Sequence, residues 1–433
     1  MNKKEISVFW FRRDLRLDDN VGLHFLTHQT NNVLPLFIFD SNILDSLAKN
    51  DRRVSFIHQA MTELNEKLRG FGSGLKVLHG NPIDIWNDLT TDYNIKQVYF
   101  NHDYEPEAIK RDQIISNLLT EKGIEVCSFK DHVIFEKGEI TKPDGNPYTV
   151  YTPYSKKWLA HFKSLEQKEY TVNASAFYPE QQVIPSLKQI GFIPVDITAY
   201  QTHRFKEVKD YQATRDIPSL STTRIGHHLR FGTISIRKVA FYCLNTNRQT
   251  LLGELIWRDF FIQILAYFPH VTHDSFKAKY DQIQWLNNPE EFKNWCEGKT
   301  GYPLVDAGMK ELVNTGFMHN RVRMLTASFL TKHLLIDWRW GERFFAEHLM
   351  DYELASNNGN WQWAAGTGCD AAPYFRIFNP MTQQEKFDPE FKYTKKFIPD
   401  FKAEEYISPI VDHKKARERC ISTYKYYLND SNN

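Results

Sequence analysis

Cysteine is scarce in this chain. The five that occur in 433 residues, Cys127, Cys243, Cys296, Cys369 and Cys420, stand far apart with no CxxC spacing. That distribution argues against a disulfide framework and against an iron–sulfur or zinc cluster, so no metal is expected. No apolar run approaches the roughly 18 residues needed to cross a bilayer. The charged start MNKKEISVFW passes directly into a strand-like run, unlike a signal peptide. A soluble cytoplasmic protein that makes no use of a membrane is therefore expected. Excess charge is absent too, with 54 basic residues against 53 acidic ones. This balance excludes a uniformly polycationic surface but leaves room for a local basic stripe. A GxGxxG dinucleotide fingerprint, internal repeats and low-complexity tracts are all missing.

Aromatic residues, by contrast, are plentiful: 31 Phe, 21 Tyr and 10 Trp, or 14% of the chain. A length of 433 residues exceeds what one core usually supports, so at least two domains are expected. Up to residue 131, short β-branched and aromatic runs alternate with amphipathic segments. Strands are expected at Ile6–Phe11, Val33–Phe39, Leu75–His79, Gln97–Asn101 and Glu125–Phe129, and helices at Arg52–Arg69, Pro82–Tyr93 and Glu105–Lys122. That order predicts an α/β doubly wound parallel sheet, Rossmann-like in layout, over residues 1–131. Residues 132–198 collect Pro, Gly, Lys and Tyr and read as a connector. Residues 199–433 read as a mainly α-helical domain, with helices at Gly253–Phe268, Gly301–Thr315, His319–Leu335, Glu342–Met350, Asn360–Ala365 and His413–Tyr426.

Several stretches carry chemistry. In Asn357-Asn358-Gly359-Asn360-Trp361-Gln362-Trp363 two indoles stand at i and i+2, about 200° apart on a helix, so one can face a core and the other a cavity. A planar ligand and a well-packed core helix account for this stretch equally well. Glu254, Trp257 and Arg258 share one helical face and offer an acceptor, a stacking plate and a cation, a combination suited to receiving a nucleobase. Arg321 and Arg323 must point different ways, one able to meet phosphate and the other an internal carboxylate or a cofactor. Lys332 reads as a solvated helix charge. The hydroxyls of Ser221-Thr222-Thr223-Arg224-Ile225-Gly226 can hold a pyrophosphate or simply cap a helix. The run Phe11-Arg12-Arg13-Asp14-Leu15-Arg16-Leu17-Asp18-Asp19-Asn20 follows the first strand; on charge pattern alone its residues pair with one another at the surface.

Taken together, FRRDLRLDDN, ELIWRDF, EGKTGYPLVDAGM, GFMHNRVRM and NNGNWQWAAGTGCDAAPYFRIFNP resemble, in this order and over nearly the whole chain, the photolyase/cryptochrome family, and most of all its bacterial class I cyclobutane pyrimidine dimer branch. The resemblance implies an antenna domain followed by a helical domain holding FAD in a U-shape beneath a DNA-facing cavity. It also implies light-driven repair, in which the excited reduced flavin lends one electron to a flipped-out dimer. The partner would be DNA containing cyclobutane pyrimidine dimers, and the protein a monomer. Carried onto this sequence, flavin contacts fall on Tyr211, Thr222, Thr223, Arg224, Ile225, Gly226, Arg323, Asp351, Glu353 and Asn357, the last at the flavin N5. The catalytic and lesion-binding set is Glu254, Trp257, Met324, Asn357 and Trp363 together with Asn320. Arg215, Arg258, Arg321 and Gln383 lie towards the DNA. Trp361, Trp338 and Trp285 match the family's electron-hopping chain.

This sequence departs from the family pattern in places. Phe317 replaces a common Trp, Glu353 a usual Asp, and Gly226-His227 a usual Ser-Pro. Glu105-Pro106-Glu107-Ala108 and His270-Val271-Thr272 lack the side chains with which some relatives hold a folate. A second antenna chromophore is accordingly open between a folate, a deazaflavin, a second flavin and none. The alternative function is that of a cryptochrome-type photoreceptor signalling through protein partners. Asn357 where such relatives carry Asp or Cys, Asn320 instead of His, and Trp363 instead of Tyr weigh towards dimer repair.

Overall fold

In the computed structural model, which describes residues 4–429, the chain divides into two compact units. The first comprises residues up to 139 together with 158–203 and 225–252. The second comprises 140–157, 204–224 and everything from 253 onward. The units are interleaved along the chain, whereas composition drew contiguous segments at 131 and 198. Composition registers the loss of strand–helix alternation but not which unit each returning stretch packs upon.

The first unit is built on five parallel strands, β1 (Glu5–Phe11), β2 (Val33–Asp40), β3 (Lys76–Gly80), β4 (Asn94–Asn101) and β5 (Glu125–Phe129), in the order β3-β2-β1-β4-β5. Such a sheet must be covered on both faces, and β1 and β2 accordingly read as continuous apolar runs. Alternate residues sort to opposite faces. Trp10 packs edge-on against Trp86 of the helix Pro82–Asp92 and against Phe100. Phe9 and Phe129 lie on the other side, against Gly22 of the helix Val21–Gln29. Asn20 starts that helix by accepting from the Leu23 N–H at 3.2 Å.

The order reverses between β1 and β4, where such sheets usually open a crevice. Here the FRRDLRLDDN run fills it. Asp14, Arg16, Asp19 and Asn20 are buried, not at the surface as charge pattern implied. Asn101 donates to Asp14 (2.6 Å) and to Asn20 (2.8 Å), while Asp131 takes Arg16 and Arg237, each at 2.7 Å. Burial works to raise the Asp131 pKa, yet the two guanidiniums outweigh it and hold the carboxyl at about 2. Charges that complete one another in this way can be buried, which a one-dimensional charge count does not register.

The second unit is helical. Its core gathers around Pro303–Thr315, Asn320–Ser328, Trp338–His348 and Leu354–Ala365. Two glycines permit its closest approaches: a Cβ on Gly359 would run into Phe261, and one on Gly341 would run into Trp361. The helix expected over 319–335 breaks after Ser328 into a π-type turn, Phe329–His333. Within that turn the Thr331 hydroxyl donates to the Ala327 carbonyl (2.9 Å), a side-chain competitor for helical bonding. Lys332 is buried, correcting the solvated-charge reading. Its ammonium donates to the Ala365 carbonyl at 2.7 Å and lies over the Tyr424 ring, and burial pulls its pKa down to about 8. Among the described residues no helix is long and apolar enough to cross a membrane.

Candidate active site

The second unit contains a cavity of about 600 Å³, its open mouth included, and both functional sets expected from the sequence contribute to its wall. Arg323, Asp351, Glu353 and Asn357 line it, as do Asn320, Met324, Trp361 and Trp363. Apolar surface from Ala327, Phe345, Leu349 and Ala364 lies between them, with Tyr352, Ser356 and Asn360.

Arg323 and Asn357 are each oriented by a second group. Arg323 donates to the Met318 carbonyl through Nε (2.7 Å) and to both Asp351 oxygens through Nη2 (3.1 and 3.0 Å), so its guanidinium is fixed in one plane. Asn357 spends its amide nitrogen on Glu342, donating to the backbone carbonyl at 3.0 Å and to Oε1 at 2.7 Å. A backbone carbonyl can only accept, so the amide cannot be flipped, and its oxygen is the atom left for whatever the cavity holds. Burial raises the Glu342 pKa and the Asn357 hydrogen bond opposes the rise. Sequence reasoning missed Glu342. The available signal was an acid inside the otherwise basic stretch Arg339–Arg343.

On the helix Gln249–Tyr267, Glu254, Trp257 and Arg258 do not line this cavity; each of the three reaches a different neighbour. Glu254 pairs with Arg215 at 2.6 Å; burial raises its pKa, while Arg215 pulls the other way. Trp257 lies flat on Tyr151, ring centroids 3.6 Å apart and planes 2° from parallel. Arg258, expected towards DNA, is only 10% exposed and pairs with Glu353 at 2.9 Å. Arg321 meets Asp216 (2.6 Å) and stacks over Phe387, one turn along its helix from Gln383.

The two indoles of Leu354–Ala365 differ in burial. Trp361 is 2% exposed, edge-on to Phe345 at 4.9 Å, while Trp363 is half-buried on the cavity wall. Trp361 joins core packing to a place on the cavity wall, and Trp363 lines the same cavity, so the two rings differ in burial but share that wall. Trp361 rests on Gly341, three residues after Trp338 and so on the same side of that helix. Trp338 is buried, and Trp285 is partly exposed beside Tyr424.

The remaining expected flavin contacts do not join this wall. Tyr211 and Thr222–Arg224 belong to the 204–224 stretch of the same unit, where Arg224 takes a left-handed backbone (φ +53°) and lies over Phe317 at 4.2 Å. Ile225 and Gly226 fall in the first unit.

A family model described as the FAD-binding domain of DNA photolyase matches residues 251–426, and one described as DNA photolyase matches residues 7–173. A deoxyribodipyrimidine photo-lyase of Halobacterium salinarum is 36% identical, the alignment covering 97% of this chain and 99% of that protein. Among solved structures, a class III photolyase from Agrobacterium tumefaciens superposes with a TM-score of 0.88 at 30% identity over 99% of both chains. An archaeal photolyase from Sulfolobus tokodaii, described with two FAD molecules, gives 0.83 at 34% identity over 98% of this chain and 100% of that one.

Proposed function

Because the chain belongs to the photolyase/cryptochrome family, we propose that it is a deoxyribodipyrimidine photo-lyase, repairing cyclobutane pyrimidine dimers in DNA with light through FAD. One observation supports this reading most: residues suited to a flavin and residues suited to a lesion line one cavity, so donor and acceptor would sit side by side.

The residues fit the cofactor. A wall of apolar surface and several polar side chains, among them the fixed Arg323–Asp351 pair and the oriented Asn357 amide, suits a large aromatic ring with a polar edge. When bound and reduced, FAD supplies the light-excited one-electron donor. Arg323, held by Asp351 and the Met318 carbonyl, presents a preorganised positive charge that favours an anionic ring. Asn357 presents an acceptor oxygen, the group a ring nitrogen bearing hydrogen requires. On the lesion side, Trp257 and Trp363 offer π surfaces to extruded bases and Met324 adapts to their outline. Glu254 donates a hydrogen bond to a pyrimidine carbonyl when it carries its proton, the state its burial favours. Engagement of Arg215 by a phosphate would remove the pairing that opposes this state. Trp361, Trp338 and Trp285 are the residues we assign to reloading the flavin with an electron from outside.

The cryptochrome alternative is disfavoured by Asn357, Asn320 and Trp363 at the three positions that separate the branches. We further propose a monomer acting in the cytoplasm, with a second flavin as the first antenna candidate to test, in view of the two FAD molecules of the archaeal relative. The test is a binding titration of the FAD-loaded protein against oligonucleotides carrying a cyclobutane dimer, a (6-4) lesion or no lesion. Salt-dependent preference for the dimer supports the reading, and equal affinity for all three refutes it.

A further inference from the structure

Tyr151 is absorbed by none of the roles assigned above, yet it touches Trp257, the helix that carries it, and the segment that follows Trp363. Its ring covers one face of Trp257 in a nearly parallel stack, centroids 3.6 Å apart. Its hydroxyl donates to the Gly253 carbonyl at 3.0 Å, one turn before Trp257 on the same helix. Its own N–H donates to Asp370 Oδ2 at 2.9 Å, in the segment seven residues beyond Trp363. Phe261, one turn after Trp257, leans against the same indole at 5.4 Å and 28°, and its ring lies directly on Gly359 of the helix bearing Trp363.

From this geometry, and resting on the lesion-binding reading of Trp257, we propose that Tyr151 is a positioning residue: an aromatic backing plate that fixes the plane of the Trp257 indole before a dimer arrives. A residue poised as a lid would need to leave easily. Tyr151 is instead held at its ring and at its hydroxyl, contacts that departure of the side chain would break together, and its backbone is tied to Asp370. Burial, followed by the nearby Glu254 carboxylate, raises its pKa and keeps the hydroxyl a donor to Gly253. A stacking surface held in this way loses little conformational freedom when a base docks, so its benefit appears in affinity and not in the photochemical step. The Asp370 tether holds the plate in register with the segment that follows Trp363, so a single residue links the Trp257 helix to that segment.

The test uses the FAD-loaded, pre-reduced protein with Tyr151→Leu, Tyr151→Phe and Asp370→Ala. Affinities for dimer-containing and undamaged oligonucleotides are measured, together with the repair yield per absorbed photon at saturating DNA. Tyr151→Leu is expected to weaken dimer binding by about three- to tenfold, the scale of one aromatic stack. Affinity for undamaged DNA and the yield at saturation should not change, and Tyr151→Phe should recover most of the loss. Asp370→Ala should show a smaller loss in the same direction, and it carries the test should Tyr151→Leu fail to retain flavin. Tighter dimer binding by Tyr151→Leu would make Tyr151 a plug, and unchanged binding would make it bystander packing; either overturns the proposal. Equal falls for damaged and undamaged DNA would do the same. A wild-type protein without any dimer preference refutes the lesion reading itself and is separable from these outcomes.

Discussion

Gly341→Ala is a one-carbon probe of the tryptophan path. A Cβ at 341 would stand 2.5 Å from Trp361 Cζ3 and 2.6 Å from Leu330 Cδ2, and closer still to Trp361 Cη2. Ordinary contact begins at 3.4 Å, so the ring must retreat by close to an ångström. Phe345 and Trp295 pack around that ring, with centroids 4.9 and 6.1 Å from it. Overpacking of this kind costs about 1–3 kcal/mol. Replacing Gly with Ala inside a helix returns up to about 1 kcal/mol, so a net loss of about 1–2 kcal/mol is expected. Chemical denaturation of the variant measures that loss, and blue-light photoreduction of its oxidised flavin should slow because the Trp361 ring has shifted relative to Trp338. Trp361→Phe removes the two indole carbons that the new methyl meets. The double variant should therefore be more stable than the sum of the single changes predicts. Equal stability of Gly341→Ala and wild type, with additive effects and unchanged photoreduction, would refute this packing.

Three further outcomes follow from the site. Trp361→Phe alone should abolish photoreduction of oxidised flavin while leaving repair by chemically pre-reduced protein intact, checked by absorbance under blue light and by a repair assay. Arg321→Ala should weaken damaged-DNA binding and reduce the slope of log affinity against log salt by about one, through loss of one phosphate contact; an unchanged slope would remove Arg321 from the DNA-facing set. Burial holds the His319 pKa down at about 4, with Arg323 next in effect, and burial holds those of His228 and His333 at about 3. Because the folded state disfavours their protonation, the stability they contribute is complete above pH 6.5 and is lost as pH falls towards 4. For His319 the loss is at most roughly 3 kcal/mol. Denaturation midpoints measured between pH 7 and 4.5 should fall, and His319→Asn should shallow that decline.

The sheet was legible in the sequence because both of its faces are buried, which turns each strand into a short apolar run; β5 lies where periodicity put it, and the other strands differ by a few residues. The helix Val21–Gln29 was not, because its Asn20 cap closes a charged run that reads as loop. Charge patterning failed at Arg16, Asp19 and Lys332 for a common reason: their partners, Asp131, Arg237 and the Ala365 carbonyl, are remote in sequence. The i, i+2 spacing of Trp361 and Trp363 implied one core and one cavity environment; the rings do differ in burial, but both are broad enough to reach the same cavity wall. Tyr151 and Glu342 stayed hidden because each acts on a side chain more than ten residues away, Trp257 or Asn357. Residue type alone could not reveal that Arg258 would be taken up by Glu353.

The most direct measurement illuminates the flavin-loaded, reduced protein with an oligonucleotide bearing one thymine dimer and follows the ultraviolet absorbance of restored thymine against a dark control. Recovery of that absorbance in the light alone, abolished by Glu254→Ala together with Trp257→Ala, is the predicted result. Dimers left intact under illumination by protein that holds reduced FAD would contradict the account.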